Sequence, residues 1–272
     1  DELPNPRLYF GFNHTEDSEM MAHYNTDGVL CPRCQSILHY KSITYSNLGK
    51  YYCPKCDFKR PELNYEITAL NELSLTGSSF DIDGTTFSIP IAGLYNIYNA
   101  LAAYSAAKFF GLTTEEIQEG FSKAQRVFGR QETFAVEDKE VMLNLIKNPV
   151  GFNQIVQLLS YEKEPFSLGV LLNDNPADGQ DVSWIWDGDF EGLQALNAVD
   201  TAISGIRVED LGVRMEVAGF ENIKVFKTNA ELIDWIRKAP TKKVNVLATY
   251  TALLNLRKDF AKEGYLKEGM NG

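Results

Sequence analysis

The sequence lacks any long apolar run and is poor in basic residues. No stretch approaches the 18 apolar residues that mark a transmembrane helix, and the chain does not open with a recognisable signal peptide. Its 26 Lys and Arg stand against 37 Asp and Glu, which gives a net charge of −11. This balance argues against nucleic acid or an anionic membrane surface as the main partner. It does not exclude phosphate ligands, because helix N-termini bind phosphate with few basic side chains.

An initiating methionine is missing as well. The chain opens DELPNPRLYFGFN, with a strand-like segment almost at once. We therefore expect it to begin partway through a domain of a longer protein. With 272 residues, 44% of them hydrophobic, the chain can bury one large core or two ordinary ones.

Apolar strands and helical patterns alternate along most of the chain. FDIDGTTFSIPI leads into the helix NIYNALAAYSAAKFFGL, which Gly111 ends, and the next helix, TTEEIQEGF, takes Thr113 or Thr114 as its N-cap. From Glu137 the order is strand, helix, strand, as in VMLNLI, GFNQIVQLLSY and FSLGVLL. This order predicts an α/β fold with a parallel sheet covered on both faces. We place a domain boundary near VFGRQETF, which gives domains 1–135 and 136–272.

The four cysteines form two pairs. Cys31-Pro-Arg-Cys34 and Cys53-Pro-Lys-Cys56 are separated by eighteen residues. Each CPxC turn points two thiolates at one centre, so the spacing predicts a tetrahedral zinc site in a ribbon over 31–60, with a hairpin around Asn47-Leu48-Gly49. A closed four-thiolate shell has no open position, which makes the predicted Zn²⁺ structural. His39 is more typical of a surface residue than of a further ligand.

Asn96 and Asn99 lie three residues apart in the first turn of a predicted helix. They share one face of that turn. Helix capping explains one asparagine well. Two neighbouring carboxamides can also bind the donor and acceptor edge of adenine.

An acidic segment follows the predicted strand FSLGVLL. We call residues 173–189, NDNPADGQDVSWIWDGD, the acidic loop; it contains five aspartates and two tryptophans. The carboxyl end of a parallel strand is where α/β sheets place functional groups. Acids beside Gly and Pro are also common turn residues without any chemistry.

Three segments give the chain a resemblance to the Mur ligases. The pattern G-x-x-N-x-x-N-A-x-A-A around Asn96 and Asn99 resembles the motif with which their central domain contacts the adenine of ATP. VFGRQETF resembles the segment that closes this domain, whose arginine, here Arg130, lies near the nucleotide phosphates. NLIKNPVGF stands where the family has D-Y-A-H-N-P, whose aspartate holds the ATP ribose. Here Asn144 replaces that aspartate and Lys147 replaces the histidine, so a ribose contact would lack the charge.

The resemblance covers nearly the whole chain and implies its fold. Three features make the resemblance more specific: the ribbon, the segment ADGxDxSWIWD and the segment TYTALLNLR. Together they resemble features of the ligase-like subunits of lipid II isoglutaminyl synthases. Residues 1–135 would then be the C-terminal part of a Mur-ligase central ATP-binding domain, with the zinc ribbon 31–60 inserted. Residues 136–272 would be the Rossmann-like Mur-ligase C-terminal domain.

One motif of the family is missing. Mur ligases carry a phosphate loop with GKT or GKS, whereas the only Gly-Lys pair here, Gly49-Lys50, is followed by Tyr51 inside the ribbon. Either the loop precedes Asp1 in a longer protein or the ATPase is inactive. We expect the first.

The resemblance also implies an activity and partners. ATP with Mg²⁺ would convert the D-glutamate α-carboxylate of lipid II to an acyl phosphate, which ammonia would attack to give D-isoglutamine. The ammonia would come from a GatD-type glutamine amidotransferase in a heterodimer, in the cytoplasm at the inner face of the membrane. A different hypothesis is a non-catalytic scaffold that only positions a glutaminase. An ordinary amino-acid-adding Mur ligase fits less well, because it would have D-Y-A-H-N-P and no ribbon.

The same resemblance implies a role for the acidic loop. Cysteine-histidine glutaminases need an acid that orients the histidine, and in this family the ligase-like subunit is thought to supply it. We rank Asp181 first, Asp178 second and Asp174 third; Asp174 could instead face nucleotide or substrate. We expect one of Trp184 and Trp186 to pack on the core and the other on the partner.

Overall fold

The computed structural model describes residues 4–15, 29–45, 47–124 and 131–266. The chain divides into two compact units, Asp1–Gln125 and Arg126–Gly272. Within the described residues, no helix is long and apolar enough to cross a membrane.

The first unit is built on a four-stranded sheet. Its strands lie in the order β1 (Phe10–Phe12), β4 (Tyr65–Leu73), β5 (Ser78–Ile82) and β6 (Thr85–Ile89). β1 runs parallel to β4, and the other neighbours are antiparallel. Every second residue of β5 is buried, so this strand gives one face to a core that it shares with the following helix α1, Leu94–Phe109.

The helix boundaries follow the local signals in the sequence. Gly111, just beyond the end of α1, has a φ of 86°, a conformation that favours glycine. The next helix, α2 (Thr114–Ser122), begins with a capping box in which the Thr113 hydroxyl accepts from the Glu116 amide and the Glu116 carboxylate accepts from the Thr113 amide. Thr113, not Thr114, is therefore the N-cap.

The predicted hairpin of the ribbon is present. Strands β2 (His39–Tyr45) and β3 (Leu48–Tyr52) pair antiparallel. Leu48 and Gly49, which the sequence suggested as turn residues, already belong to β3. A Cβ at Gly49 would lie 2.1 Å from the Ser42 carbonyl oxygen, so glycine is required by the close approach of the two strands.

The second unit contains a six-stranded, mostly parallel sheet. Its strands lie in the order β11 (Lys224–Val225), β10 (Ala198–Ser204), β9 (Phe166–Leu171), β12 (Lys243–Ala248), β8 (Lys139–Leu145) and β7 (Glu132–Val136). Only the pair of β7 and β8 is antiparallel. All six residues of β9 are buried, as expected of a central parallel strand covered on both faces.

β7 sets where the second unit begins. The boundary predicted after residue 135 falls inside this strand. In the structure β7 satisfies its backbone hydrogen bonds by pairing with β8, and the two units divide between Gln125 and Arg126. The sequence showed no clear strand pattern at Glu132–Val136, so this pairing was not predicted.

Helices cover both faces of the large sheet. They are α3 (Pro149–Leu159), α4 (Phe190–Gln194), α5 (Val208–Val217), α6 (Asn229–Arg237), α7 (Tyr250–Lys262) and a short 3₁₀ helix (Ser183–Trp186). α6 and α7 share one core with the sheet, to which Trp235 and Phe260 contribute. α3 and α4 meet through Phe152 and Phe190, whose stacked rings lie 4.3 Å apart. Because crossovers between parallel strands of one sheet are right-handed, the strand order implies that this second group lies on the opposite face from α6 and α7.

The order of the strands creates a topological switch point between β9 and β12. After β9 the chain moves toward β10, whereas after β12 it enters α7, which packs on β8. The segments that leave the carboxyl ends of these two neighbours therefore border one crevice, where open α/β sheets place ligand and catalytic groups.

Candidate functional site

The four cysteines come together as the spacing predicts. Their sulfur atoms all lie within 4.8 Å of one another, with Cys31 3.6 Å from Cys56 and Cys34 3.4 Å from Cys53. A tetrahedral Zn²⁺ with bonds of about 2.3 Å would separate its sulfur ligands by about 3.8 Å. The cluster therefore has the size and donor set to hold a metal ion.

The thiols of the cluster differ in acidity. Hydrogen bonds from Ser36, first from its side chain, lower the pKa of Cys34 to about 6. At Cys56 a backbone hydrogen bond at Phe58 lowers the pKa, but burial and the three other cysteines outweigh it and raise the pKa to about 12. Four adjacent thiolates repel one another, and a bound dication removes this cost.

The asparagines of α1 have different environments. Asn96 is buried, and its side-chain nitrogen donates to the Ala92 carbonyl oxygen at 2.7 Å. Gly93 is the N-cap residue, so Asn96 braces the turn before the helix without capping it. Asn99, one turn later, is exposed. On the first turns of the same helix, the Asn96 carboxamide is therefore held in place and the Asn99 carboxamide is accessible.

Asn144 is a buried carboxamide near the end of a central strand. It lies in β8, fully buried, and neither its oxygen nor its nitrogen has a hydrogen-bond partner among the described residues. An unpaired buried amide of this kind costs about 1–3 kcal/mol. A native protein retains such a group where a ligand, ion or water satisfies it. Asn144 therefore fits a role in ligand binding.

Lys147 follows the end of β8. Its side chain is exposed and forms no hydrogen bond or ion pair among the described residues. The next residue, Asn148, caps α3 by accepting from the Gly151 amide at 2.8 Å. Arg130, the third nucleotide-binding candidate of this region, lies outside the described residues.

Asp178 is the most buried of the three candidate acids, with 5% of its surface exposed. Its carboxylate accepts from the Thr251 amide at 2.7 Å, from the Thr251 hydroxyl at 2.5 Å and from the Asn175 amide at 3.1 Å. The two donors of Thr251 bind Asp178 to the first turn of α7, where the helix dipole also favours a negative charge. The geometry thus ties the acidic loop to α7 through Asp178.

Asp174 and Asp181 are more accessible. Asp174 follows β9 and pairs with Arg207, whose guanidinium donates to it at 2.9 Å. Asp181 is exposed and accepts from the Ser183 amide at 2.8 Å. Hydrogen bonds from Ser183, first from its hydroxyl, hold the pKa of Asp181 below its usual value. Asp181 therefore presents an ionised carboxylate at the surface.

The tryptophans of the acidic loop have different environments. Trp184 is partly buried, with its ring 6.2 Å from that of Phe152. Trp186 is 51% exposed, and the guanidinium of Arg214 lies 5.5 Å from its ring. Arg214 is itself buried and donates to the Ile185 and Gly188 carbonyl oxygens, which fixes the 3₁₀ helix.

Thr251 is a site residue that the sequence analysis missed. Its hydroxyl lies within hydrogen-bonding distance of Asn173, Asn175 and Asp178. The segment TYTALLNLR was noted only as a resemblance. A signal was available, because Thr-Tyr-Thr follows a buried strand and opens a helix, at the end of the sheet where functional groups collect.

The fold defines the class of protein. Over 94% of its length the chain matches a pseudomurein peptide ligase type C from Methanothermus fervidus, with a TM-score of 0.66 and 19% sequence identity, covering 52% of that chain. It also matches a MurF from Acinetobacter baumannii, with a TM-score of 0.55 and 21% identity over 73% of this chain and 45% of that one. The chain has the Mur-ligase fold.

Sequence comparison narrows the class. Residues 145–253 match the family model for the MurT ligase C-terminal domain. The chain is 46% identical, over 99% of its length, to the MurT subunit of lipid II isoglutaminyl synthase (glutamine-hydrolysing) from Streptococcus pneumoniae, and it covers 61% of that protein. The MurT subunit from Staphylococcus aureus is 35% identical over 84% of this chain, which covers 52% of that protein. The chain is thus a relative of the MurT subunits and spans about three fifths of the pneumococcal one.

We predict that replacing Asn144 with valine stabilises the chain. The change removes an unpaired buried amide from a strand, where a β-branched residue is favoured, so the free energy of unfolding should rise by about 1–2 kcal/mol in urea denaturation. Ser167→Ala is the matched control, because Ser167 is fully buried but bonded to Thr241 at 2.8 Å. It should lower stability. A loss of stability with Asn144→Val would show that the amide is satisfied in the folded chain.

Proposed function

We propose that the chain is the greater part of the ligase-like subunit of a lipid II isoglutaminyl synthase. This subunit amidates the D-glutamate α-carboxylate of lipid II to D-isoglutamine with ATP, at the inner face of the membrane. The observation that carries the proposal is 46% identity over 99% of the chain to a protein of that name. The name denotes a synthase subunit, which favours a ligase over a scaffold that only positions a glutaminase.

The resemblance to the Mur ligases supplies the candidate nucleotide-binding residues. We assign adenine to Asn96 and Asn99, the phosphates to Arg130 and the ribose to Asn144, with Lys147 as a further nucleotide-binding residue. The support comes from Asn144, whose buried amide has no hydrogen-bond partner in the part of the chain that the structure describes. A ribose hydroxyl both donates and accepts, so it could satisfy the oxygen and the nitrogen of this amide.

ATP is needed because a carboxylate is a poor electrophile. Transfer of the γ-phosphoryl group to a carboxylate oxygen forms an acyl phosphate, in which that oxygen becomes a leaving group. Ammonia then attacks the carbonyl carbon and phosphate departs, which leaves the amide. Mg²⁺ would neutralise the charge on the transferred phosphoryl group.

The ammonia would come from a glutaminase subunit of the GatD type. Free ammonia is mostly protonated at neutral pH, so a coupled source is required. We assign Asp181 as the acid that this chain lends to the glutaminase, where it would orient the catalytic histidine and stabilise its imidazolium form. Asp181 suits this role because it is exposed and its pKa lies below the usual value.

A partner surface would adjoin Asp181. Trp186 is half exposed, and tryptophan is enriched at protein–protein interfaces. Arg214, whose guanidinium lies over the Trp186 ring, belongs to α5, which also exposes Val213 and Val217. We assign Trp186 and this exposed apolar part of α5 to the contact with the glutaminase.

The ribbon would be held by one structural Zn²⁺. Four sulfur ligands within 4.8 Å of one another support zinc, which thiolates prefer in a tetrahedral shell. When bound, the ion supplies folding energy to the ribbon rather than chemistry, because four protein ligands leave no site for substrate.

We predict that replacing Cys34 with serine removes the zinc and unfolds the ribbon. Zinc content by mass spectrometry should fall from one ion per chain to near zero, and amide exchange over residues 31–60 should accelerate at least tenfold. His39→Ala, a change in the same ribbon outside the cluster, should retain the ion. Full zinc occupancy in the serine variant would exclude this site.

We predict that replacing Asp181 with asparagine abolishes glutamine-dependent amidation. In the full-length subunit with its glutaminase, glutamine hydrolysis should fall about a hundredfold or more, because the neutral amide cannot stabilise the imidazolium. Lipid II, ATP and an ammonium salt should still give amidated product. This rescue separates loss of the ammonia source from loss of the ligase.

Asp187→Asn is the matched control for this experiment. Asp187 is another exposed acid of the acidic loop, so its variant should hydrolyse glutamine within about twofold of the wild type. Normal glutamine turnover by the Asp181 variant would refute the assignment. Failure of the wild-type pair to amidate lipid II with any nitrogen source would leave the scaffold hypothesis in its place.

A further inference from the structure

Thr251 connects three polar residues of the acidic loop. Its hydroxyl is 3.0 Å from the side-chain nitrogen of Asn173, 2.8 Å from that of Asn175 and 2.5 Å from the Asp178 carboxylate. Its backbone amide also donates to Asp178 at 2.7 Å. One hydroxyl thus accepts from two amides and donates to one carboxylate, which uses its full hydrogen-bonding capacity.

These bonds join segments that are far apart in the sequence. Thr251 lies in the first turn of α7, just after β12, and the loop residues follow β9. The neighbouring Thr249 contributes as well, since its hydroxyl accepts from the Asn173 amide at 2.8 Å. The polar cluster therefore occupies the switch point between β9 and β12.

The acidic loop has a second attachment at its other end. The buried guanidinium of Arg214 donates to the carbonyl oxygens of Ile185, at 2.9 Å, and Gly188, at 3.0 Å. Between Asp178 and Ile185 lies a short segment that carries Asp181. The position of Asp181 is thus set by two fixed points, one on α7 and one on α5.

We propose that Thr251 is a positioning residue for the acid of the acidic loop. By holding Asp178 it fixes the start of the segment that presents Asp181, and it engages Asp178 so fully that this carboxylate is not available to a partner. This inference rests on the proposed function, in which Asp181 serves a glutaminase. It gives Asp178 a positioning role where the sequence suggested a catalytic one.

The test replaces the hydroxyl with a methyl group of the same shape. In the full-length subunit with its glutaminase, Thr251→Val should lower kcat for glutamine hydrolysis at least tenfold while KM for glutamine changes less than twofold. Amide exchange over residues 173–183 should accelerate, and amidation with an ammonium salt should persist. Thr251→Ser keeps the hydroxyl and should restore kcat to within about twofold of the wild type.

A second variant tests the same contact in case Thr251→Val does not fold. Asp178→Asn breaks the same contact from the other side, so it should reproduce the kcat loss, and the double variant should be no worse than either single one. Thr241→Val is the control for loss of a buried threonine hydroxyl, since Thr241 bonds to Ser167 and to the Lys243 carbonyl at the opposite end of β12. It should leave kcat unchanged.

The outcomes separate this inference from the proposed function. If Asp181→Asn is inactive but both Thr251→Val and Asp178→Asn turn over glutamine normally, the positioning role is overturned and the proposed function stands. If Thr251→Ser is as impaired as Thr251→Val, the hydroxyl is not the cause, and the positioning role is again overturned. If Asp181→Asn is active, the assignment of Asp181 fails and the positioning role fails with it, whereas failure of the wild-type pair to amidate lipid II would overturn the proposed function.

Discussion

The second unit depends on the pairing of β12 with two parallel neighbours at once. Ala248 at its end lies opposite Leu145 of β8 on one side and Leu171 of β9 on the other. The pairing continues one step beyond the strands, because the Ile146 amide donates to the Ala248 carbonyl at 2.9 Å and the Thr249 amide to the Leu171 carbonyl at 3.1 Å. The three adjacent strands β8, β12 and β9 therefore end side by side, and this register brings together the residues that follow β9 and β12 in the candidate site.

Two buried polar side chains at this level differ in how they are satisfied. Asp178 receives three hydrogen bonds and ties the acidic loop to α7. Asn144 receives none from residues 4–15, 29–45, 47–124 and 131–266. A buried polar group with its bonds made fixes structure, whereas one without them lowers stability. We interpret Asp178 as a group that positions the site and Asn144 as a group that binds a ligand. In this interpretation Asn144 lowers the stability of the chain for the sake of its function.

Local features of the structure could be predicted from the sequence. The cysteine cluster, an N-cap at Thr113 or Thr114, the glycine after α1 and the buried strand FSLGVLL were predicted from residues close together in the chain. The structure confirms them and places the N-cap at Thr113. Features that depend on distant pairing could not be predicted. Asp178 and Thr251 are 73 residues apart, so nothing near Asp178 shows that it is buried and bonded. The membership of β7 in the second unit has a different origin, because β7 pairs with β8, the next strand along the chain, and no strand was predicted at Glu132–Val136.

The most direct test of the account is a structure of the full-length subunit bound to its glutaminase. We predict that a carboxylate oxygen of Asp181 lies within hydrogen-bonding distance, about 2.6–3.2 Å, of a ring nitrogen of the glutaminase's catalytic histidine. Asp178 should remain bonded to Thr251 in the same structure. An imidazole oriented by a different acid, with Asp181 left in solvent, would contradict the account.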